Sequence, residues 1–532
     1  MTALRRADWR FLLPAAPGGR YRHLVLLGGP SALAGLLREE EVAERIDTRP
    51  AEGADLIVAL ADNPASAAEL ASYMAPDGVL YREIDRRRLA TLTMTPRRLF
   101  GRLRAAGLRP IWSHWIIPDL AHARRYLPLD HADALRWYFD TLHPAGSLAG
   151  AVAAAAGHRL GRGDAAGLAA LAPVFSVTAS RGEPTPATIA ALELPLMPAH
   201  WRAPGTRVAM LTSGQDDGSR VVLLPFTPRG TEPEGVVKVS RTERFNAHTE
   251  REQATLATIR SSLHADLQAT IPEPRGSTRL GRSLVALESY APGAAMVRAV
   301  GRRGEPLSRS IEELRAAADW LVRFHRDTVR GPVGWSAAAA ERTVERLVAF
   351  RASFAVGPAE TRLLDRAAEL AQALVGARLP TVLVHNDYGP WNVHRAGERI
   401  TVIDWELGPD DTARRGPALV DLIYFATEWH LRARRLRGRR AELRGFRDLF
   451  LQPSGPAARA AAEAFEDYIR RVEVDPRFFP LLVVVTWIER ALDRAERQVT
   501  AVGSAGDREN RYADYVRLVA ADAGDDFWRG LR

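Results

Sequence analysis

At 532 residues the chain exceeds the size at which a single hydrophobic core stops growing, so two or three domains are expected. It contains no cysteine, which excludes a disulfide framework, a thiolate metal site and a cysteine nucleophile. Its net charge of +9 comes from arginines interspersed with Asp and Glu, without zinc-finger spacing or an RNA-binding aromatic signature, so a nucleic-acid partner ranks last. In chain order, the basic N-terminus is interrupted by Asp8 and Pro14 before its apolar part is long enough for a secretion signal. No apolar stretch, including Phe478 to Ile488, approaches the run of about 20 residues that a membrane span requires. The expectation is a soluble, cytoplasmic protein with no membrane association.

From about Tyr21 to Arg181, short apolar runs alternate with helical segments. The runs are Leu24 to Leu27, Ala54 to Leu60, Gly78 to Tyr81, Pro110 to Trp112 and Pro173 to Val177. That alternation predicts an α/β domain over 1–183 with a Rossmann-like, mostly parallel sheet. Leu26-Leu27-Gly28-Gly29 as first strand and turn, with Met74 to Leu80 as a Pro-Gly turn into a later strand, resembles a class I methyltransferase domain in degenerate form. Pro30 replaces the continuation of a glycine-rich turn, and the interval from Gly28 to Ala54 is too short for the usual cofactor side. A scaffold or docking domain is expected, with Asp47 as the ribose ligand if S-adenosylmethionine binds after all.

The Pro-rich stretch 184–200 predicts a linker, and 201–290 a small, mostly β lobe with one helix. Arg207 to Leu211 and Ser219 to Phe226 flank a turn containing Ser213 and Gly214, whose backbone amides could cover phosphates or simply close a hairpin. Lys238, in Val236-Val237-Lys238-Val239, is the one lysine among 73 basic residues. A lysine kept where every other cation is arginine marks a site that wants a compact ammonium rather than a planar fork. Beyond Gly301 helical periodicity dominates the region 291–532, except in one segment.

That segment is Val384 to Glu406, VHNDYGPWNVHRAGERITVIDWE. Asp387 and Asn392 lie five apart on a loop broken by Gly389 and Pro390, and Asp404 ends a β-type run. One carboxylate to orient and deprotonate a hydroxyl, plus an amide oxygen and a second carboxylate for magnesium, is the equipment of phosphoryl transfer. From about Arg202 to Ala520 the motifs resemble the aminoglycoside phosphotransferase and choline kinase family, in family order. The resemblance implies a bilobal protein-kinase-like fold using ATP and Mg2+. It makes Asp387 the catalytic base, Asn392 and Asp404 the metal ligands, and His385 and Asp421 supports of the loop. It also implies that Lys238 holds nucleotide phosphates, with Glu252 as its partner and Glu250 as runner-up. Glu288 and Tyr290 would lie in the hinge, where adenine bonds to backbone. Asn386 replaces the family's glycine, and Asn tolerates positive φ.

The function expected is phosphorylation of a hydroxyl on a small molecule such as an aminoglycoside, amino alcohol or sugar. The alternatives are a pseudokinase or nucleotide-binding scaffold, and a bifunctional methyltransferase-kinase. Asp410, Asp411 and Glu428 would attract a cationic acceptor while Arg432 onward would repel it, and Trp391, Trp405 and Trp429 could stack on one. A protein partner could engage the N-terminal domain or the basic segment Arg432 to Arg447.

Overall fold

The computed structural model describes residues 3–14, 16, 20–142, 170–182, 196–203, 205–212, 220–330, 333–405, 415–502 and 510–529. The chain divides into two compact units, Met1–Ala254 with Glu273–Tyr290, and Thr255–Pro272 with Ala291–Arg532.

The first unit is organised by a sheet of twelve strands. In chain order they are β1 (Tyr21–Leu27), β2 (Ala43–Asp47), β3 (Ala54–Ala59), β4 (Met74–Asp85), β5 (Arg109–Ile117), β6 (Arg125–Pro128), β7 (Val174–Ser180), β8 (Arg207–Leu211), β9 (Val221–Phe226), β10 (Val236–Val239), β11 (Pro274–Leu280) and β12 (Ser283–Glu288). Their spatial order is β11-β12-β10-β9-β8-β6-β5-β7-β4-β3-β1-β2. β1 is buried on both faces. Leu24 and Leu26 enter one core while Val25 and Leu27 enter another, the period-2 alternation of a strand covered on both sides.

The sheet departs from the mostly parallel expectation. β2, β1, β3 and β4 are parallel, but β7 returns between β4 and β5 and pairs antiparallel with both. From β5 through β11 every neighbour is antiparallel. An apolar run announces a strand, not its neighbour or direction. β6 pairs with β8 through Arg125↔Leu211 and Tyr126↔Met210, so strands on both sides of the stretch 184–200 belong to one sheet. One core likewise runs from Trp9 and Leu12 through Leu24 and Trp112 to Val237, Val239 and Val285.

The N-terminal segment Ala3–Leu12, a 3-10 helix, is part of this unit. Arg241, just beyond β10, donates Nε to both oxygens of Asp8 at 3.0 and 3.2 Å, and both side chains are fully buried. Arg5 also donates to the carbonyl of Thr212, at 2.6 Å.

The second unit is mainly helical. Its long helices are Leu307–Thr328, Ala337–Ser353, Pro358–Ala373, Val420–Ala433, Gly455–Val472, Phe478–Val502 and Arg511–Asp522. They enclose one core that includes Trp320, Phe324, Tyr388, Trp405, Trp429 and Trp487. Two small sheets sit with them: β13 (Ala294–Ala295), β15 (Val393–Ala396) and β16 (Arg399–Val402) in one, β14 (Thr381–Leu383) and β17 (Arg415–Pro417) in the other. Among the described residues no helix is long and apolar enough to cross a membrane.

Candidate active site

In the first unit, β10 lies between β9 and β12 and presents Lys238 opposite Val222 and Ala286. The lysine ammonium lies 2.7 Å from Glu252 Oε1 and 2.9 Å from Glu288 Oε2. Glu252 comes from the helix Asn246–Ser261, where it is buried while Glu250 is exposed. Helical geometry therefore aims the former at the sheet. Glu252 also pairs with Arg220, and Gln253 Nε2 donates to Glu288 Oε1 at 2.7 Å. The buried carboxylates are thus matched by cations and amide donors, which offsets their desolvation.

Sequence reasoning took Glu288 for a residue acting through its backbone, yet its side chain is a second acid on Lys238. Residues 286 and 288 share one face of β12, and Lys238 pairs with Ala286 on the neighbouring strand. That register was the missed signal. Tyr290 is turned to the helix Ala132–Thr141: its hydroxyl accepts from Trp137 Nε1 at 2.8 Å, and burial pushes the phenol above its usual range. Ser213 and Gly214 lie outside the described residues, as do Asp410 and Asp411.

In the second unit, a network fixes the loop that carries Asp387. The backbone amides of His385 and Asn386 donate to Asp421 at 2.7 and 3.1 Å. Asp421 is buried at the start of the helix Val420–Ala433. Burial works to raise its carboxyl, but the nearby His325 and the backbone amide of His385 outweigh it and hold the group below its ordinary range. The residue before that helix, Leu419, takes φ 88°, an uncommon conformation for a branched side chain; it is fully buried and its amide donates to Tyr468 Oη at 3.0 Å.

His385 accepts the Asp387 amide on Nδ1 at 3.2 Å, so its proton lies on Nε2, which donates to the carbonyl of Ile403 at 2.8 Å. The histidine thereby ties the Asp387 loop to the backbone just before Asp404. Asn386 has φ 66°, the conformation its replacement of glycine anticipated.

Asp387 Oδ2 accepts from Asn392 Nδ2 at 2.9 Å and from Trp391 Nε1 at 3.1 Å. Its other oxygen lies 4.0 Å from Arg490 Nη1. Gly389 is required here, because a Cβ at that position would stand 2.5 Å from the Trp391 ring. The hairpin β15–β16 pairs Val393 with Val402, and the Ile403 amide donates to the Asn392 carbonyl at 2.9 Å. Asn392 and the chain entering Asp404 are therefore neighbours. Asp404 is exposed, with φ 62°.

Trp405 and Trp429 are core residues, their indoles donating to the carbonyls of Val402 and Ser310. Trp391 alone of the three reaches the Asp387 carboxylate. Glu428 is buried and paired with Arg511. Arg490 is a site residue that sequence reasoning missed, since nothing marks one arginine among so many.

Residues 227–464 match the model of the phosphotransferase enzyme family. Among solved structures, the chain is similar to a glucosamine kinase in complex with glucosamine, ADP and inorganic phosphate, at 20% identity over 61% of this chain and 82% of that one, with a TM-score of 0.35. It is also similar to a choline/ethanolamine kinase family protein from Mesorhizobium loti, at 14% identity over 64% and 95%, TM-score 0.34. A third is an aminoglycoside phosphotransferase from Streptomyces rimosus in complex with ADP and streptomycin, at 15% identity over 57% and 91%, TM-score 0.29. No curated protein matches the chain.

The N-terminal candidates are differently placed. Asp47 is bound to His23 at 2.9 Å and Arg45 at 2.7 Å. The Gly29 amide donates to Asp62 at 2.9 Å, and a Cβ on Gly28 would meet Asp62 Oδ1 at 2.3 Å. The turn that would approach a cofactor is closed by the chain's own carboxylate.

Proposed function

We propose that the protein transfers the γ-phosphoryl group of ATP to a hydroxyl of a small molecule. The observation that carries this reading is the Asp387 carboxylate, aimed by Asn392 and Trp391 on a loop whose amides are held by buried Asp421. Asp387 orients the acceptor hydroxyl and takes its proton as the new P–O bond forms; the bond between the γ-phosphorus and the bridging oxygen breaks, and ADP leaves with that electron pair. Lys238, steadied by Glu252, offers its ammonium to phosphate oxygens.

The donor set suits Mg2+. The Asn392 amide spends its N–H on Asp387, which turns its oxygen acceptor to other use, and Asp404 adds a hard carboxylate. Among the described residues no three His, Asp or Glu side chains converge into a metal cage. Two protein ligands leave the remaining positions to phosphates and water, as magnesium prefers. The ion, when bound, neutralises phosphate charge; Asn392 and Asp404 would hold it.

The N-terminal region is read as a scaffold built into the sheet that carries Lys238, because its Gly28-Gly29 turn is filled by Asp62. The test is calorimetric titration of ATP with and without magnesium on the wild type and Asp404→Ala, followed by ADP release from Asp387→Asn. Magnesium-dependent binding lost in the first variant, and binding without turnover in the second, are expected. A folded wild type that binds no nucleotide would refute the reading. S-adenosylmethionine binding by the full chain would refute the scaffold assignment.

A further inference from the structure

The acceptor hydroxyl must reach Asp387, so the charges around that carboxylate select what can approach it. Resting on the phosphotransferase reading, we infer that the acceptor is an anion: a hydroxylated small molecule carrying a carboxylate or a phosphate group, recognised by Arg490 and Arg432.

Three elements supply the argument. From the helix Phe478–Val502, Arg490 lies 4.0 Å from Asp387 Oδ1, donates to the carbonyl of Asn386, and lies over the Tyr424 ring at 3.8 Å. A guanidinium stacked on an aromatic face keeps N–H groups in its plane to spare, and its forked geometry suits carboxylate or phosphate. From the helix Val420–Ala433, Tyr424, Glu428 and Arg432 follow one another at four-residue spacing and share a face. Arg432 is exposed and lies over the Trp391 ring at 5.3 Å, the same indole whose N–H holds Asp387.

The acids on these elements are already engaged by arginines, which leaves them little to offer an incoming cation. Glu428 is buried and its ion-pair partner is Arg511, from a third helix, with the charge of Arg432 also acting on it. Glu489 and Asp493, on the Arg490 helix, both face Arg346. Asp387 is committed to the hydroxyl. A cationic acceptor at Asp387 would meet two guanidinium groups, and each of these carboxylates, the base included, already faces an arginine. Like charges in such proximity are strongly unfavourable, whereas an anion gains two charge-assisted contacts.

The test measures ADP release with four hexoses at matched concentration: glucose, glucosamine, glucuronate and glucose 1-phosphate. The two anions are expected to accelerate release above the acceptor-free rate, and the difference between them separates carboxylate from phosphate recognition. Arg490→Gln should raise KM for the preferred anion roughly ten- to hundred-fold, the worth of a charged hydrogen bond. Because Arg490 also holds the loop at Asn386, Arg432→Ala tests the same charge without touching the backbone. It should raise that KM about tenfold while KM for ATP moves much less. Arg432→Glu should shift preference toward glucosamine. Glucosamine or glucose serving as well as the anions, no acceleration by any hexose, or an unchanged KM in Arg432→Ala would overturn the inference. Calorimetry on the same preparation separates the failures. Mg-ATP binding without charge preference sinks the anion assignment alone, and absence of binding sinks the phosphotransferase reading beneath it.

Discussion

Asp8→Ala is the substitution that asks most of this structure, because it removes a carboxylate 233 residues away in sequence from the cation it serves. Asp8 and Arg241 are both fully buried, with Nε at 3.0 and 3.2 Å from the two oxygens. Arg10 lies 3.9 Å from the same carboxylate. After truncation, Arg10 keeps Glu40 at 3.7 Å and the Arg241 carbonyl at 2.6 Å. Arg241 keeps the Thr212 carbonyl at 3.3 Å, a neutral acceptor. Breaking a buried pair from one side costs about 3–5 kcal/mol, because the remaining charge stays out of water. For a unit of this size each kcal/mol shifts the transition by roughly 2–4 °C, so a fall on the order of 6–20 °C is expected. Thermal unfolding followed by circular dichroism, with urea titration for the free energy, measures it.

Two controls isolate the cause. Arg22 is 80% exposed and pairs with Asp55 at 3.1 Å, so Arg22→Ala should cost only about 0–1 kcal/mol. The double variant Asp8→Ala/Arg241→Met removes both charges and should recover much of the loss, since apolar residues often replace a buried pair without penalty. Asp8→Ala within about 1 kcal/mol of wild type, or a double variant no better than the single, would refute the reasoning. A large loss would also show that a ten-residue N-terminal segment is structurally part of the sheet bearing Lys238.

Other consequences are as direct. His114 is buried, its Nε2 bonded to the Val208 carbonyl at 3.1 Å, and burial pulls its pKa from 6.5 to about 4. The unfolded chain binds a proton below pH 6.5 that folded His114 refuses, so stability falls from pH 6.5 toward 4, by up to about 3 kcal/mol from this group. His114→Gln should flatten that slope in pH-dependent urea denaturation, leaving the parts due to His394 and His430, which burial also lowers to about 4. Lys238→Arg keeps the charge but puts a broad fork between Glu252 and Glu288; Mg-ATP affinity by calorimetry should fall roughly tenfold or more. Gly389→Ala forces the Trp391 ring away from the new methyl and so disturbs Asp387; kcat should drop up to about a hundred-fold with nucleotide affinity preserved.

How far the sequence could be read depended on how local each relation is. Asp387, Asn392 and Asp404 stand within eighteen positions of one another on a loop and hairpin, so their spacing already carries their geometry. Lys238 stood out through composition, and the family resemblance favoured Glu252 over Glu250 as its partner, the one of the two that is buried. Relations between distant segments left no comparable trace. The strand β8 is recognisable as a strand, but its pairing with β6 depends on tertiary placement, which is why a linker at 184–200 reads as a domain boundary although the sheet continues across it. β7 likewise announces an apolar run and hides its antiparallel insertion between β4 and β5.

The same distinction explains the charges. In a chain where nearly every cation is arginine, identity alone cannot distinguish Arg241 locked to Asp8, Arg511 neutralising Glu428, and Arg490 beside Asp387. Burial and partner separate them: the first two are matched by buried carboxylates and serve the fold. Arg490 approaches the carboxylate assigned to the reaction while stacked on Tyr424, an arrangement with directional donors to offer an incoming group. The basic composition thus resolves, residue by residue, into structural ions and a recognition charge. Acceptor selectivity rests on the second kind, which is why Arg432 and Arg490, rather than the net charge of +9, are the positions to change.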